Sequence, residues 1–335
     1  MSNLKEQIRK SRNIKETSLN TYICALHILH KRITGEKIPI LKNAKFLHNF
    51  KINMDAINKE QKLTSKKNKL TAILVALNSE DPKKEELIDN LSAELKRLGD
   101  TYTTFLKQQK KTDTQKANWL DYEDVVKIAN DLMNDVKVMN IHRKKKGDIL
   151  TNKEFDKLKQ YLILRTYLTF PIRNDYANMR ILKKKTYEKL PNEEREENNY
   201  LVLLPANKKQ FHINQFKNKK VIGAKILNVP TPLNKIINLW LKFNKSGYYL
   251  VKSNRTTPMS PNSITKFLNK IFRKNADGKK ISSSMLRHII ISHMLKGTKT
   301  IKEKEEDNKK IENQFFHSAE MNQKYRKLDD EENKE

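Results

Sequence analysis

The sequence predicts a mainly α-helical chain with one small antiparallel β-sheet, arranged as a helical first domain and an α+β second domain. Three observations lead there. Apolar residues recur at helical spacing through most of the 335 residues. Alternating, β-rich stretches are confined to one window, residues 200–229. A polar stretch without apolar period, Lys111-Thr112-Asp113-Thr114-Gln115-Lys116-Ala117-Asn118, interrupts the pattern. The expected layout is a helical domain over 1–110, a linker over 111–118 able to run extended, a second domain over 119–328 and an acidic tail over 329–335.

In the first domain, residues 18–32 read as a helix with Tyr22, Ile23, Leu26, Leu29 and Ile33 at helical spacing. Cys24 lies in that run and is expected to be a buried thiol. A second helix over 65–77 carries Leu70, Ile73, Leu74 and Leu77. Its opening offers Lys66, Lys67 and Lys69 beside hydroxyls and the free N–H groups of a helix start, a combination suited to a phosphate backbone. An ordinary capped, solvated helix face fits that stretch equally well. A third helix follows Pro82, over 84–109, with a break or kink near Gly99.

The second domain opens at Trp119, with a helix carrying Val125, Val126, Ile128 and Leu132. Thr151 or Asn152 caps the next helix, whose Phe155, Leu158, Tyr161, Leu162 and Leu164 face inward. Pro171 ends it. Arg173 follows at once, and Tyr176, Met179 and Ile181 suggest a further helix. Strands are expected at 200–204, 210–216, 221–223 and 225–229, with Lys217, Lys219 and Lys220 in a turn between them. A short strand at 248–251 separates helices that start at Pro232 and Pro261. Ser282-Ser283-Ser284 caps a helix bearing Arg287, and residues 296–310 read as a solvated helix.

Lys and Arg number 69 against 39 Asp and Glu, a formal net charge of +30. A surplus of that size destabilises a compact monomer by self-repulsion unless a polyanion is the usual partner, so nucleic acid is expected. Cys24 is the only cysteine, which excludes a disulfide framework or thiolate zinc site within one chain. Glycine occurs 7 times and no Gly-rich phosphate loop is present, which argues against ATP use. Residues 1–5 lack the apolar core of a signal peptide, and no apolar run approaches the roughly 20 residues of a membrane span. An intracellular chain without membrane, metal or small-molecule cofactor is the expectation.

Four residues far apart in order share one chemistry. Tyr325 offers a hydroxyl nucleophile, Arg173 and Arg287 offer fixed bidentate donors for one phosphate, and His317 offers a further donor to developing charge. Such a set suits attack on a phosphodiester. A lysine at the turn can reach a minor groove and protonate a leaving oxygen, and an exposed turn without that role fits the same stretch.

At these residues the chain resembles the tyrosine recombinase (phage lambda integrase-like) family. Pro171-Ile172-Arg173-Asn174-Asp175 is similar to its first arginine box, Met285-Leu286-Arg287-His288 to its second, and Phe316-His317-Ser318 through Lys324-Tyr325 to its terminal motif. The resemblance covers 119–327, and extends to recombinases of large DNA viruses and mobile elements. It implies a core-binding domain and a catalytic domain of the DNA breaking-rejoining type, closing as a C-shaped clamp on double-stranded DNA. It also implies a homotetramer on two DNA sites and a 3′-phosphotyrosyl intermediate formed without metal or ATP. Tyr325 would be the nucleophile, Arg173, Arg287 and His317 would hold the phosphate, and Lys217 would be the general acid. Asp175, Ser284 and His288 would support them, and Lys66, Lys67, Lys69, Lys219 and Lys220 would contact DNA. The implied location is a nucleus or cytoplasmic viral factory for a eukaryotic or viral protein, and the cytoplasm for a bacterial one.

The chain departs from the family in three places. Ser284 stands where the second box has histidine, Asp175 comes one place early, and Tyr325 follows His317 one residue sooner. Two other readings share most of the same features: a type IB topoisomerase, and a basic helical DNA-binding protein in which Ser284 marks lost catalysis.

Overall fold

The computed structural model describes residues 3–296, 301–316 and 319–328. His317, and the tail expected over 329–335, lie outside them. Two compact units divide the chain, Met1–Gln108 and Gln109–Glu335.

Among its described residues the first unit contains α1 (Leu4–Ser11), α2 (Glu16–Thr34), α3 (Phe50–Asn58), α4 (Leu63–Leu77) and α5 (Glu85–Lys107). The periodicity of α2, α4 and α5 was legible; α1 and α3 are short, polar-rich helices that it did not show. Helix α4 packs against both α2 and α5. Its Leu70, Ala72, Ile73, Val75, Ala76 and Leu77 are therefore all buried, and the expected one-sided stripe is an apolar surface nearly all round. Cys24, expected inside, is exposed. Helix α2 turns Leu19, Leu26 and Leu29 inward, and Cys24 falls off that face. Helix α5 runs through Gly99 without a break, its backbone ladder held by the packing of Leu91 and Leu98.

The second unit continues with α6 (Asp113–Asn118), α7 (Tyr122–Val138) and α8 (Asn152–Thr169). The stretch expected to be an extended linker is thus largely helical. A capping box, in which Thr112 and Gln115 satisfy each other's backbone N–H groups, starts it without any apolar period. Then come β1 (Arg180–Lys183), α9 (Lys184–Glu188), α10 (Asn192–Glu197), β2 (Tyr200–Leu203), β3 (Lys209–Ile213), α11 (Lys219–Ile222) and β4 (Lys225–Asn228). Last are α12 (Thr231–Phe243), α13 (Pro261–Asn275), α14 (Ser283–Met294), α15 (Ile301–Phe315) and α16 (Ala319–Tyr325). Helix α8 is the centre, with α7, α12, α13 and α14 packed on it. Leu162, Ile163, Leu164 and Tyr167 are fully buried there.

The sheet runs β1-β2-β3-β4. The pairs β2–β3 and β3–β4 are antiparallel as expected, and β1 adds a parallel edge with Arg180 opposite Tyr200. Residues 176–181, expected to be helical, instead pass through a 3-10 turn (Asn174–Tyr176) into β1. Asn178 adopts a left-handed φ of 54°, which ends any helix there, and its N–H is taken by the Met259 carbonyl at 3.1 Å. The strand expected at 221–223 is the end of α11, and 248–251 contributes only isolated bridges. The small sheet on a helical body is otherwise the predicted class.

Candidate active site

Arg173 is placed by the end of α8. The helix stops at Thr169, and Pro171, which lacks an N–H, prevents its resumption. The next residues are fastened on two sides. Asn174 accepts from the Tyr167 hydroxyl at 2.9 Å and donates to the Pro261 carbonyl and Thr265 Oγ1, each at 2.8 Å. Buried Asn199 donates to the Asp175 carbonyl at 2.8 Å and the Gln215 carbonyl at 2.9 Å, while its own oxygen accepts from the N–H groups of Asn214 and Gln215. The arginine-bearing turn is thereby tied to the start of α13 and to the chain leaving β3.

Arg287 comes from the second turn of α14, whose start is capped by Ser282. It is 1% exposed. Its Nη1 donates to the Pro171 carbonyl at 3.2 Å and its Nη2 to the Phe315 carbonyl at 3.3 Å, while Nε is buried without a partner. Burial pushes its pKa down to about 10, and the nearby charge of Arg173 pushes the same way; the group stays cationic at neutral pH.

Tyr325 ends α16. Helix α14 holds it in place: His288 Nδ1–H donates to the Tyr325 carbonyl at 2.7 Å, and Ser292 Oγ accepts from the Lys327 N–H at 2.8 Å. The guanidinium carbon of Arg287 lies 4.8 Å from the centre of the Tyr325 ring, and the His288 ring lies at the same distance on a tilted approach. One helix therefore carries the buried arginine and sets the position of the phenol.

These residues share one cavity of about 370 Å³, lined by Arg173, Asn174, Asp175, Pro261, Ser283, Ser284, Arg287 and Tyr325. The first turns of α13 and α14 both border it, with the unpaired N–H groups and positive dipole ends that favour an anion. Asp175 forms no salt bridge with either arginine among the described residues. Burial pushes its carboxyl up to about 6 against the pull of Arg173 and Arg287. Neither guanidinium has a carboxylate within ion-pair distance among the described residues. Two like charges facing one cavity are the arrangement that an anionic group bound between them would relieve.

The remaining expectations fare unevenly. Ser284 sits exposed at the cavity rim, contributing a hydroxyl where an imidazole was absent. His288, expected in a supporting role, is committed through Nδ1 to the Tyr325 carbonyl; burial pushes its pKa down to about 4, so it is neutral and positions the tyrosine. Lys217 stands exposed on the loop between β3 and α11, outside the cavity lining. Its neighbour Phe216 packs on Phe316 with ring centres 5.3 Å apart. Lys219 pairs with Glu196 at 3.2 Å, and Lys220 is exposed. In the first unit Lys66 donates to Asn58 at 3.2 Å and Lys67 lies 5.2 Å over the Tyr102 ring. Lys69 is not a surface donor: it is 7% exposed and pairs with Glu60 at 2.9 Å. Asn174, Asn199, Ser283 and Pro261 were missed as site residues. Only the serine cap had a sequence signal, since the others act through partners distant in the chain.

Among the described residues no helix is long and apolar enough to cross a membrane, and no group of three or more His, Cys, Asp or Glu is placed to hold a metal. No protein-family model and no curated protein matches the chain. Solved structures do. The XerH site-specific recombinase, bound to difH substrate in a pre-cleavage complex, aligns with 96% of this chain and 80% of its own at 13% identity, with a TM-score of 0.51. A crystal structure of XerA recombinase aligns with 98% of this chain and 94% of its own, also at 13% identity, with a TM-score of 0.39. The XerH likeness establishes the fold: a mostly helical chain with a small mixed sheet, as in a site-specific recombinase.

Proposed function

We propose that this protein is a site-specific DNA recombinase of the tyrosine type. One observation carries the reading: Arg173, Arg287 and Tyr325, far apart in order, border a single cavity, and among the described residues neither arginine has a carboxylate within ion-pair distance. The phosphate of a DNA strand supplies the missing negative charge. Bidentate guanidinium donors and the first turns of α13 and α14 then hold its non-bridging oxygens and stabilise the added charge of the transition state.

In this scheme the Tyr325 hydroxyl loses its proton and attacks phosphorus. The tyrosyl O–P bond forms as the bond from phosphorus to the 5′ oxygen breaks. That oxygen takes up a proton and leaves as a 5′ hydroxyl, and the 3′ end stays on the enzyme. Attack by a 5′ hydroxyl from a second duplex reverses each step and frees the tyrosine. The phosphotyrosyl bond retains the energy of the diester, so rejoining draws on no nucleotide. We assign leaving-group protonation to Lys217, on the loop that Asn199 ties to the Arg173 turn. Lys66, Lys67 and Lys220 add phosphate contacts, and a homotetramer on two duplexes performs the exchange, as in a viral or mobile-element integrase.

A nicked duplex that loses its leaving strand tests this. The full chain should become covalently attached to its cognate site, and Tyr325→Phe should reduce the adduct to background. Absence of any adduct with wild-type protein would leave a basic DNA-binding protein. Relaxation of supercoils without joining of two sites would instead indicate a topoisomerase.

A further inference from the structure

A second cavity of about 310 Å³ lies in the Gln109–Glu335 unit, away from the residues above. Its lining combines the first two turns of α8 (Asn152, Lys153, Phe155, Asp156 and Lys159) with Ser253 and Lys270. Lys159 is the unusual member. It is 1% exposed, on the central helix of the unit. An ammonium has three donors and is rarely buried without acceptors. Here the nearest carboxylate oxygen, Asp156 Oδ1, is 3.8 Å away, beyond hydrogen-bond distance. Among the described residues no closer acceptor pairs with it. The rings of Phe267 and Phe155, at 4.7 and 5.5 Å, favour a cation but accept no conventional hydrogen bond.

Asp156 does not balance the charge. Its other oxygen already accepts from Gln160 at 2.9 Å and Lys270 at 3.0 Å. Three lysines thus line the cavity against one carboxylate. A fourth cation is fixed beside them: Arg255, whose backbone has a φ of 64°, donates to the Leu150 carbonyl at 2.7 Å and Asn152 Oδ1 at 3.1 Å and lies 4.6 Å over the Phe155 ring. The start of α8 adds its dipole. Burial pushes the Lys159 pKa down, with Lys270 and Arg255 adding to the fall, and a bound anion would oppose both effects.

We infer that this cavity is a binding site for the phosphate group of a small phosphorylated ligand, with Lys159 donating at its base and Lys270 and Lys153 at its mouth. The size of the cavity favours a small ligand. The volume lies at the lower end of the roughly 300–1,000 Å³ of small-molecule sites.

Calorimetric titration of the full chain with inorganic phosphate, at constant ionic strength in chloride, tests this. Wild-type protein should bind phosphate, Lys159→Met should weaken that binding at least tenfold, and Lys270→Gln should weaken it about threefold or more. The Lys270 side chain is 62% exposed, so its variant keeps the test decisive should Lys159→Met not fold. DNA cleavage by both variants should match wild type. No phosphate binding by wild-type protein, or equal binding by wild type and Lys270→Gln, overturns the inference. So does a Lys159-dependent signal that a short duplex abolishes by competition, which would assign the site to the nucleic-acid backbone.

Discussion

Each unit holds a buried cation, and the two are treated in opposite ways. In the first, Lys69 of α4 meets Glu60, which also receives Arg32 and the Ser65 hydroxyl. The hydrogen bonds from Lys69 and Ser65 push the Glu60 carboxyl down to about 2 despite burial. In the second, Arg287 donates to the carbonyls of Pro171 and Phe315, packs on the Tyr325 ring, and has a buried Nε without a partner and another arginine lining the same cavity. The first cation is neutralised within the fold and contributes to stability. The second has no carboxylate within ion-pair distance among the described residues and lines a cavity, as the proposed phosphate site requires. A buried cation therefore points to a ligand only where no carboxylate hydrogen-bonds it, and its burial alone says nothing.

The sharpest way to break that contrast is Arg287→Met. Strand cleavage should fall by about 10²–10³, the loss typical of removing one donor to a transition-state oxyanion. Thermal stability should hold or rise, because an uncompensated charge leaves the interior. A large drop in melting temperature would make Arg287 a structural group. Next in size, Lys69→Met should destabilise the protein by about 1.5 kcal/mol in denaturant unfolding, the loss of one charge-assisted hydrogen bond, since Glu60 keeps Arg32 and Ser65. That figure is an upper value for a pair retaining some solvent contact. Loss of DNA affinity without loss of stability would return Lys69 to the DNA-binding set.

The same contrast appears in pH dependence. Glu60 titrates lower folded than unfolded, so its contribution is complete above its ordinary value near 4.5 and is lost as pH falls through about 2. Asp175 is the reverse: raised to about 6, it favours the folded state at low pH and lowers stability as pH rises through that value. Asp175→Asn should therefore raise the melting temperature at pH 7 and leave it unchanged at pH 3, as scanning calorimetry would read. An equal shift at both pH values would show that the carboxyl is not held in its charged form at a cost. The smallest effect concerns the exposed lysines. Lys220→Gln should reduce the slope of log affinity for duplex against log salt by about one, and an unchanged slope would remove it from the interface.

Much of the site was legible because its chemistry is carried by residue type. Arg173 follows a proline that ends a helix, Arg287 follows a serine cap, and Tyr325 lies among basic residues near the end of the chain. What could not be read is how they are held. The Asn199 bonds join residues 175, 199, 214 and 215, and no local pattern marks an asparagine as a junction. His288 shows the same limit. The resemblance implied a support, and only the fold shows that it acts through a hydrogen bond to the Tyr325 carbonyl.

By itself the sequence determined the helical body with its small sheet, the excess of positive charge, and the arginines and tyrosine suited to a phosphodiester. Those properties belong to single residues and to spacings of two to four positions. Tertiary structure decided that β1 is a strand, because a four-residue segment takes its conformation from the partner it pairs with. It also decided that Lys69 meets a carboxylate while Arg287 and Lys159 face cavities. Electrostatic environment is set by groups that meet only when the chain has closed on itself, and so the same positive charge became a structural pair in one place and a cavity-lining group in another.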